Sequence, residues 1–290
     1  MTIKEIYTSY LQQLQTIYTA NEVSIITDRV FVATAGISRG DLVKNPSLLP
    51  PENIVQKLEL QLQELINHKP VQYVLGEAWF YNMKLAVNEH TLIPRPETEE
   101  LVKMVIDDYQ QTAAVKHEPI NILDIGTGSG CIAIALKKNL PTINMTAIDV
   151  SPEALTISRQ NAGAQQAQVD FLHLDFLDEF QWKRLPAFDI IISNPPYIPV
   201  SEKSKLEKNV IDFEPATALF VPNDSPIIFY EKIAAFAKSH LLPGGKIFAE
   251  VNEDLARQTA AIFQETFQDT AIKKDMFEKE RMIVVRKEKI

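Results

Sequence analysis

The stretch Ser193-Asn194-Pro195-Pro196-Tyr197 carries atoms suited to one kind of chemistry. An –NH2 group conjugated to a carbonyl or a ring is a poor nucleophile, because its lone pair is delocalised. Two acceptors that take its two N–H groups raise the electron density on nitrogen and fix its orientation. The side-chain oxygen of Asn194 is one such acceptor. The backbone carbonyl of Pro195 is a second, and proline brings no competing N–H while stiffening the loop. The ring of Tyr197 can lie flat against a bound planar group. Alkyl transfer to the nitrogen then needs little beyond correct approach, so positioning supplies most of the acceleration. No strong base is required, since the proton becomes acidic once the nitrogen is alkylated. On this reading Asn194, Pro195 and Tyr197 are the catalytic set, and Asn194, Pro195, Pro196 and Tyr197 bind the substrate.

A second group of residues points to a bound nucleoside. Gly126-Thr127-Gly128-Ser129-Gly130 follows an apolar run and precedes a helical pattern. Glycines let backbone turn tightly and approach a ligand where a Cβ would clash. N–H groups at a helix start favour an anion, which in such a loop can be the carboxylate on the methionine tail of S-adenosylmethionine. The spacing GxGxG differs from the dinucleotide GxGxxG, favouring a nucleoside without a pyrophosphate. Asp149 ends the next apolar run, where an acid can accept from both ribose hydroxyls. Asp175 can accept from an adenine amino group. Phe176 either lies on the adenine face or packs in the core. The expected cofactor set is therefore Gly126, Thr127, Gly128, Ser129, Gly130, Asp149, Asp175, Phe176 and Asn194. The histidines, His68, His90, His117, His173 and His240, are scattered without metal-ligand spacing, so no metal is expected.

These residues need a scaffold that brings strand ends together. From residue 93 the pattern alternates between strand and helix. Strands are expected at 120–125, 144–150, 169–174, 188–194, 246–251, 271–275 and 281–287. Helices are expected at 97–109, 131–139, 152–162 (capped by Ser151), 226–241 and 254–267. Apolar strands alternating with helices make a mainly parallel sheet covered on both faces. The last two strands have no room for a helix between them and must run antiparallel. The expected fold is thus α/β, and seven strands with a terminal hairpin over 93–290 resemble the layout of a Rossmann-like class I methyltransferase domain. Residues 1–70 read as helices, with Ile3, Ile6, Tyr7, Tyr10, Leu11 and Leu14 on one face of the first. They form a small helical domain expected to recognise the substrate. Residues 71–92 read as a β-hairpin linker, with VQYVLGEAWF and MKLAVN as strands around Tyr81-Asn82.

Composition narrows the remaining choices. The chain is 46% hydrophobic and 23% charged, enough apolar content for a sizeable core. One cysteine excludes an internal disulfide framework and fits a reducing compartment. The N-terminal stretch is too polar for a signal peptide, and no apolar run approaches the ~18 residues of a membrane span. These features point to a cytoplasmic protein with no membrane partner. A net charge of −9 argues against nucleic acid as the direct substrate.

NPPY in this position resembles amino-methyltransferases of adenine, cytosine or glutamine amides. Pro70-Val71-Gln72-Tyr73-Val74-Leu75-Gly76, Leu92-Ile93-Pro94-Arg95-Pro96-Glu97-Thr98-Glu99 and Glu214-Pro215-Ala216-Thr217-Ala218-Leu219 sharpen the resemblance. Together with GTGSG and NPPY they are similar to the PrmC/HemK family of peptide chain release factor N5-glutamine methyltransferases, over about residues 70 to 290. The resemblance implies S-adenosylmethionine as cofactor and release factors as protein substrates, methylated on the glutamine of their Gly-Gly-Gln motif. It also implies that Arg95 and Glu97 help close the site, although a capped helix start at Pro96 explains the same wording. Two departures concern local loops: Glu250-Val251-Asn252 replaces the usual Glu-Ile-Gly, and a glycine is missing near Val221-Pro222. The alternatives are a glutamine methyltransferase of a large-subunit ribosomal protein and an adenine-N6 nucleic-acid methyltransferase. The serine common after the arginine in the former is absent, and the acidic charge opposes the latter.

Overall fold

A computed structural model describes residues 1–112 and 119–288. His117 lies outside them. The chain forms two compact units, Met1–Glu77 with Glu207–Phe213, and Ala78–Leu206 with Glu214–Ile290.

The first unit is helical: α1 (Ile3–Leu14), α2 (Ala20–Ala35), α3 (Arg39–Lys44), α4 (Glu52–Ile66) and α5 (Val71–Leu75). Thr2, Thr19 and Ser38 start the first three through capping boxes, with Glu5, Glu22 and Asp41 as the reciprocal acids. Ile3, Ile6, Tyr10 and Leu14 are buried with Val23, Val30, Phe31, Leu58 and Leu65, so the apolar stripe of α1 faces the core as its spacing requires. Two elements differ from expectation. The six residues of α3 show too little periodicity to be noticed, yet their capping box is legible. VQYVL is a helical turn, not a strand: Pro70 precedes it and Gly76, at φ 71°, terminates it in the left-handed conformation. These end signals outweigh the β-branched content of the segment.

The second unit begins at Ala78, within the hairpin of β1 (Glu77–Phe80) and β2 (Met83–Ala86), which turns through Tyr81 and Asn82, both at positive φ. The hairpin is thus confined to 77–86. Next come α6 (Pro96–Thr112), β3 (Asn121–Ile125), α7 (Cys131–Asn139), β4 (Asn144–Asp149), α8 (Pro152–Gln165), β5 (Asp170–His173) and β6 (Phe188–Ser193). The chain continues through β7 (Ile198–Pro199), α9 (Lys208–Ile211, part of the first unit), α10 (Ala216–Leu219) and β8 (Phe220–Val221). It ends with α11 (Ile228–His240), β9 (Leu241–Glu250), α12 (Ala256–Gln264), β10 (Asp269–Lys274) and β11 (Glu280–Arg286).

Seven strands make one sheet in the order β10-β11-β9-β6-β3-β4-β5. β9, β6, β3, β4 and β5 are parallel, while β11 runs antiparallel to both β9 and β10. Alternate strand residues feed two cores. Leu123, Ile191 and Ile247 pack with Ile233 and Phe236 of α11 on one face, and Ile122, Ile192 and Phe248 pack with Val105 of α6 and Ile134 of α7 on the other. From β3 the chain moves one way along the sheet to β4 and β5, then crosses to β6. Open α/β sheets bind ligands outside the carboxyl ends of the strands at such a reversal.

Candidate active site

The carboxyl ends of β3, β4, β5 and β6 open onto a cavity of about 350 Å³, within the usual range for small-molecule sites. Gly126 and Gly128, Asp149, Asp175 and Phe176, and Asn194 and Pro196 all line it, each group from the end of a different strand. The sheet register explains their meeting: Ile125 is opposite both Ile148 and Ser193, and Asp149 is opposite His173.

The glycine loop is held from beneath. Gly126 and Thr127 donate N–H to the Ile148 carbonyl, each at 3.0 Å. The Thr127 hydroxyl donates to Asp124 at 2.7 Å. Asp124 is fully buried, and burial pushes its carboxyl up to about 7. Thr127, Ser129 and Gly130 form the buried underside of the loop and do not line the cavity. Gly126, Gly128 and Gly130 have φ of 74°, 55° and 81°. A Cβ on Gly130 would meet Ile134 Cδ1 at 3.0 Å and Ser158 Cβ at 3.1 Å, whereas Gly126 and Gly128 have nothing within 4 Å of that position. Gly126 and Gly128 thus leave open, at the cavity wall, space that side chains would fill, a cradle suited to a ligand approaching the backbone. Gly130→Ala is expected to destabilise the fold by about 2–4 kcal/mol, from backbone strain and overpacking, measured by urea unfolding. Gly128→Ala carries only the strain, about 1–2 kcal/mol, and its effect is expected mainly in cofactor affinity, measured by calorimetry.

Asp149 grips the rim of the loop. Its Oδ2 accepts from Gly128 N–H at 2.8 Å and its Oδ1 from Ser151 N–H at 2.9 Å. Burial pushes its carboxyl up, while the N–H groups of Ser151, Gly128 and Val150 pull it back. Asp175 accepts from Leu177 N–H at 2.9 Å. Phe176 packs in the core and also lines the cavity: its ring stacks on Trp182 with centroids 5.5 Å apart and meets Phe236 edge-on.

Asn194 directly follows β6 and is half-buried. Its Nδ2 donates to Thr98 Oγ1 at 3.0 Å, and Thr98 in turn donates to Glu250 Oε2 at 2.7 Å. Ser193 is opposite Ala249, so Asn194 and Glu250 follow at the ends of adjacent parallel strands. Glu250 is also opposite Met282 of β11, which brings Arg281 to the same place. Pro195 is buried and does not line the cavity. Nor does Tyr197: its ring packs against the core, with Arg281 and Glu250 near its hydroxyl. Burial and the nearby Glu250 push that hydroxyl up to about 12.

Arg95 pairs with Glu214 at 2.5 Å, and the same carboxylate accepts from Ile93 N–H at 3.2 Å. Two of the sequence words are thereby tied together. Pro96 is the first residue of α6, so the helix-start explanation of RPETE and its place in a polar cluster are compatible. Thr217, Ala218 and Val221 line the cavity too, and were not among the expected site residues. Neither loop departure disturbs its surroundings. Val221 is buried on β8, which pairs with β7 after NPPY, and Asn252 has φ −66° and caps the next turn through Asp254 N–H. Among the described residues, no group of three or more His, Cys, Asp or Glu could hold a metal, and no helix is long and apolar enough to cross a membrane.

Residues 111–214 match the Methyltransferase small domain family. The solved T. thermophilus 16S rRNA N2 G1207 methyltransferase superposes with a TM-score of 0.50 at 18% identity, covering 73% of this chain and 49% of that one, a likeness of fold alone. Sequence relatives reach much further. The release factor glutamine methyltransferase of Flavobacterium psychrophilum is 39% identical over 98% of this chain and 99% of its own length. That of Bacteroides thetaiotaomicron is 36% identical over 97% and 99%. Identity sustained across both units, helical N-terminus included, cannot come from a shared sheet alone, and the chain belongs to the release factor glutamine methyltransferase family.

Proposed function

We propose that this protein transfers a methyl group from S-adenosylmethionine to N5 of the glutamine in the Gly-Gly-Gln motif of bacterial peptide chain release factors, in the cytoplasm. The observation that carries this reading is the polarity of Asn194. Its –NH2 is given to Thr98 at 3.0 Å, so its oxygen is the atom left to accept from a substrate amide. The second acceptor we assign is the backbone carbonyl of Pro195, whose side chain is buried and whose ring does not line the cavity. Between them they take both N–H groups of a planar amide and orient its nitrogen.

S-adenosylmethionine supplies an electrophilic methyl group when bound. Gly126 and Gly128 let the backbone approach its methionine end, Asp149 accepts from the ribose hydroxyls, and Asp175 and Phe176 hold the adenine. The cavity at the ends of β3 to β6 supports this assignment. Thr127, Ser129 and Gly130 act from below, shaping the loop without touching the ligand. Tyr197 braces the loop through its packing against the core. The substrate nitrogen gains a methyl group and releases one proton, which is acidic after methylation, so no strong base is needed. Mass spectrometry of release factors incubated with enzyme and cofactor is expected to show one added methyl group on the Gly-Gly-Gln peptide. No gain there, with methylation of a ribosomal protein or of adenine instead, would sink the reading.

The N-terminal helical unit is the part we assign to gripping the protein substrate. It exposes large apolar side chains, among them Val43, Leu49 and Leu60. Leu49→Glu with Leu60→Glu is expected to raise KM for release factor about tenfold or more, by removing apolar contact area, and to leave cofactor affinity unchanged. An unaltered KM would remove these residues from the grip.

A further inference from the structure

Behind Asn194 lies a chain of two buried polar side chains from distant parts of the sequence. Thr98, on the first turn of α6, is 2% exposed, and Glu250, at the end of β9, is likewise 2% exposed. Each has one hydrogen-bonded neighbour towards the cavity: Glu250 accepts from Thr98, and Thr98 accepts from Asn194. Neither Thr98 nor Glu250 lines the cavity.

A hydroxyl has a single proton, and an ionised carboxylate can only accept. We propose that Glu250 and Thr98 are positioning residues that set the polarity of Asn194. The carboxylate draws the Thr98 proton, which leaves that hydroxyl able only to accept. It therefore turns the –NH2 of Asn194 inward and the oxygen towards substrate. The inference rests on the reading of Asn194 as acceptor for the substrate amide.

The arrangement has a built-in failure mode. A protonated Glu250 can donate to Thr98, and Thr98 can then donate to the Asn194 oxygen. The asparagine amide turns over and presents –NH2 to the –NH2 of the substrate, and neither can accept. The groups facing Glu250 are Arg281 from β11, Arg95 and Glu97 at the start of α6, Tyr197 after β6, Tyr230 of α11 and Cys131 of α7. Burial pushes the Glu250 carboxyl up to about 7, and the Thr98 bond, Arg281 and Arg95 oppose that rise without cancelling it. Ionised Glu250 is the competent form, so activity is present above that pKa and lost as pH falls through it.

The test compares wild type, Thr98→Val, Thr98→Ser and Glu250→Gln, each checked for folding by thermal melting. Thr98→Val is expected to lower kcat about 10- to 100-fold, the effect of a buried polar group left unpartnered, with little change in KM or cofactor affinity. Thr98→Ser restores most of the rate. The wild-type kcat falls on the acid side with a midpoint at about 7, and this limb disappears in Glu250→Gln, whose plateau is lower. A second measurement does not depend on turnover. The side-chain amide resonances of Asn194, assigned by their loss in Asn194→Asp, are expected to titrate with the same midpoint in wild type and Thr98→Ser. They are expected to stay fixed in Glu250→Gln and Thr98→Val. Normal kcat in a folded Thr98→Val, or an amide titration that survives Glu250→Gln, overturns the relay. A wild-type enzyme inactive on release factors would overturn the proposed substrate instead, with the resonance titration still deciding the relay.

Discussion

Asn194→Ala is expected to lower single-turnover methylation of release factor at least ~100-fold, about 2.7 kcal/mol in barrier. Losing the acceptor leaves a substrate N–H unpaired, which costs about 1–3 kcal/mol in binding, and the freed nitrogen also loses its orientation. Asn194→Asp is the sharper variant. A carboxylate keeps an acceptor towards substrate, so acceptance alone would predict partial activity. In the structure the inward atom is a donor, given to Thr98 Oγ1 at 3.0 Å, and the Thr98 proton is already committed to Glu250. An aspartate there sets oxygen against oxygen and adds a second carboxylate near Glu250. Asn194→Asp is therefore expected to be nearly as inactive as Asn194→Ala. Near-normal turnover in the alanine variant would remove Asn194 from the mechanism. Substantial activity in the aspartate variant would show that the inward hydrogen bond is dispensable.

That contrast also marks the boundary of what the amino-acid order reveals. Asn194, Asp149 and the glycine loop are legible because each sits beside its own strand, and the strand end determines where it points. The apolar runs of a parallel sheet and the brief gap between the last two strands make the fold equally legible. Glu250 and Thr98 are separated by 152 positions, and only the packing of α6 against β9 makes them neighbours. Both stand in distinctive stretches of the sequence, RPETE and Glu250-Val251-Asn252, but no local spacing says that they touch. Glu214 with Arg95 is the same case. Residues read as a contiguous ligand loop fared differently: in GTGSG the glycines at 126 and 128 face the cavity while Thr127 and Ser129 point into the protein. A tight turn alternates its faces, and composition alone does not say which face is which. Tyr197 shows the limit of chemical suitability as an argument. Its ring is suited to a planar substrate, and in the structure it packs against the core outside the cavity lining.

Asp149→Ala is expected to weaken S-adenosylmethionine binding by about 1.5–3 kcal/mol, the usual cost of losing hydrogen bonds to a charged group. The loss has two sources. The carboxylate is assigned to the ribose hydroxyls, and it also holds the N–H groups of Gly128 and Ser151 at 2.8 and 2.9 Å. Four lone-pair sites on two oxygens allow both tasks at once. Alanine removes the ribose acceptor and leaves two donors at the cavity rim unpaired, so loop disorder alone could lower affinity. A cofactor analogue lacking one ribose hydroxyl separates the two. If Asp149 binds the ribose, wild type binds the deoxy analogue more weakly than the cofactor, and Asp149→Ala hardly distinguishes them. If Asp149 only braces the loop, both proteins suffer the same penalty from the missing hydroxyl. Calorimetry on the two proteins with the two ligands gives the coupling directly, and a coupling near zero would confine Asp149 to a structural role.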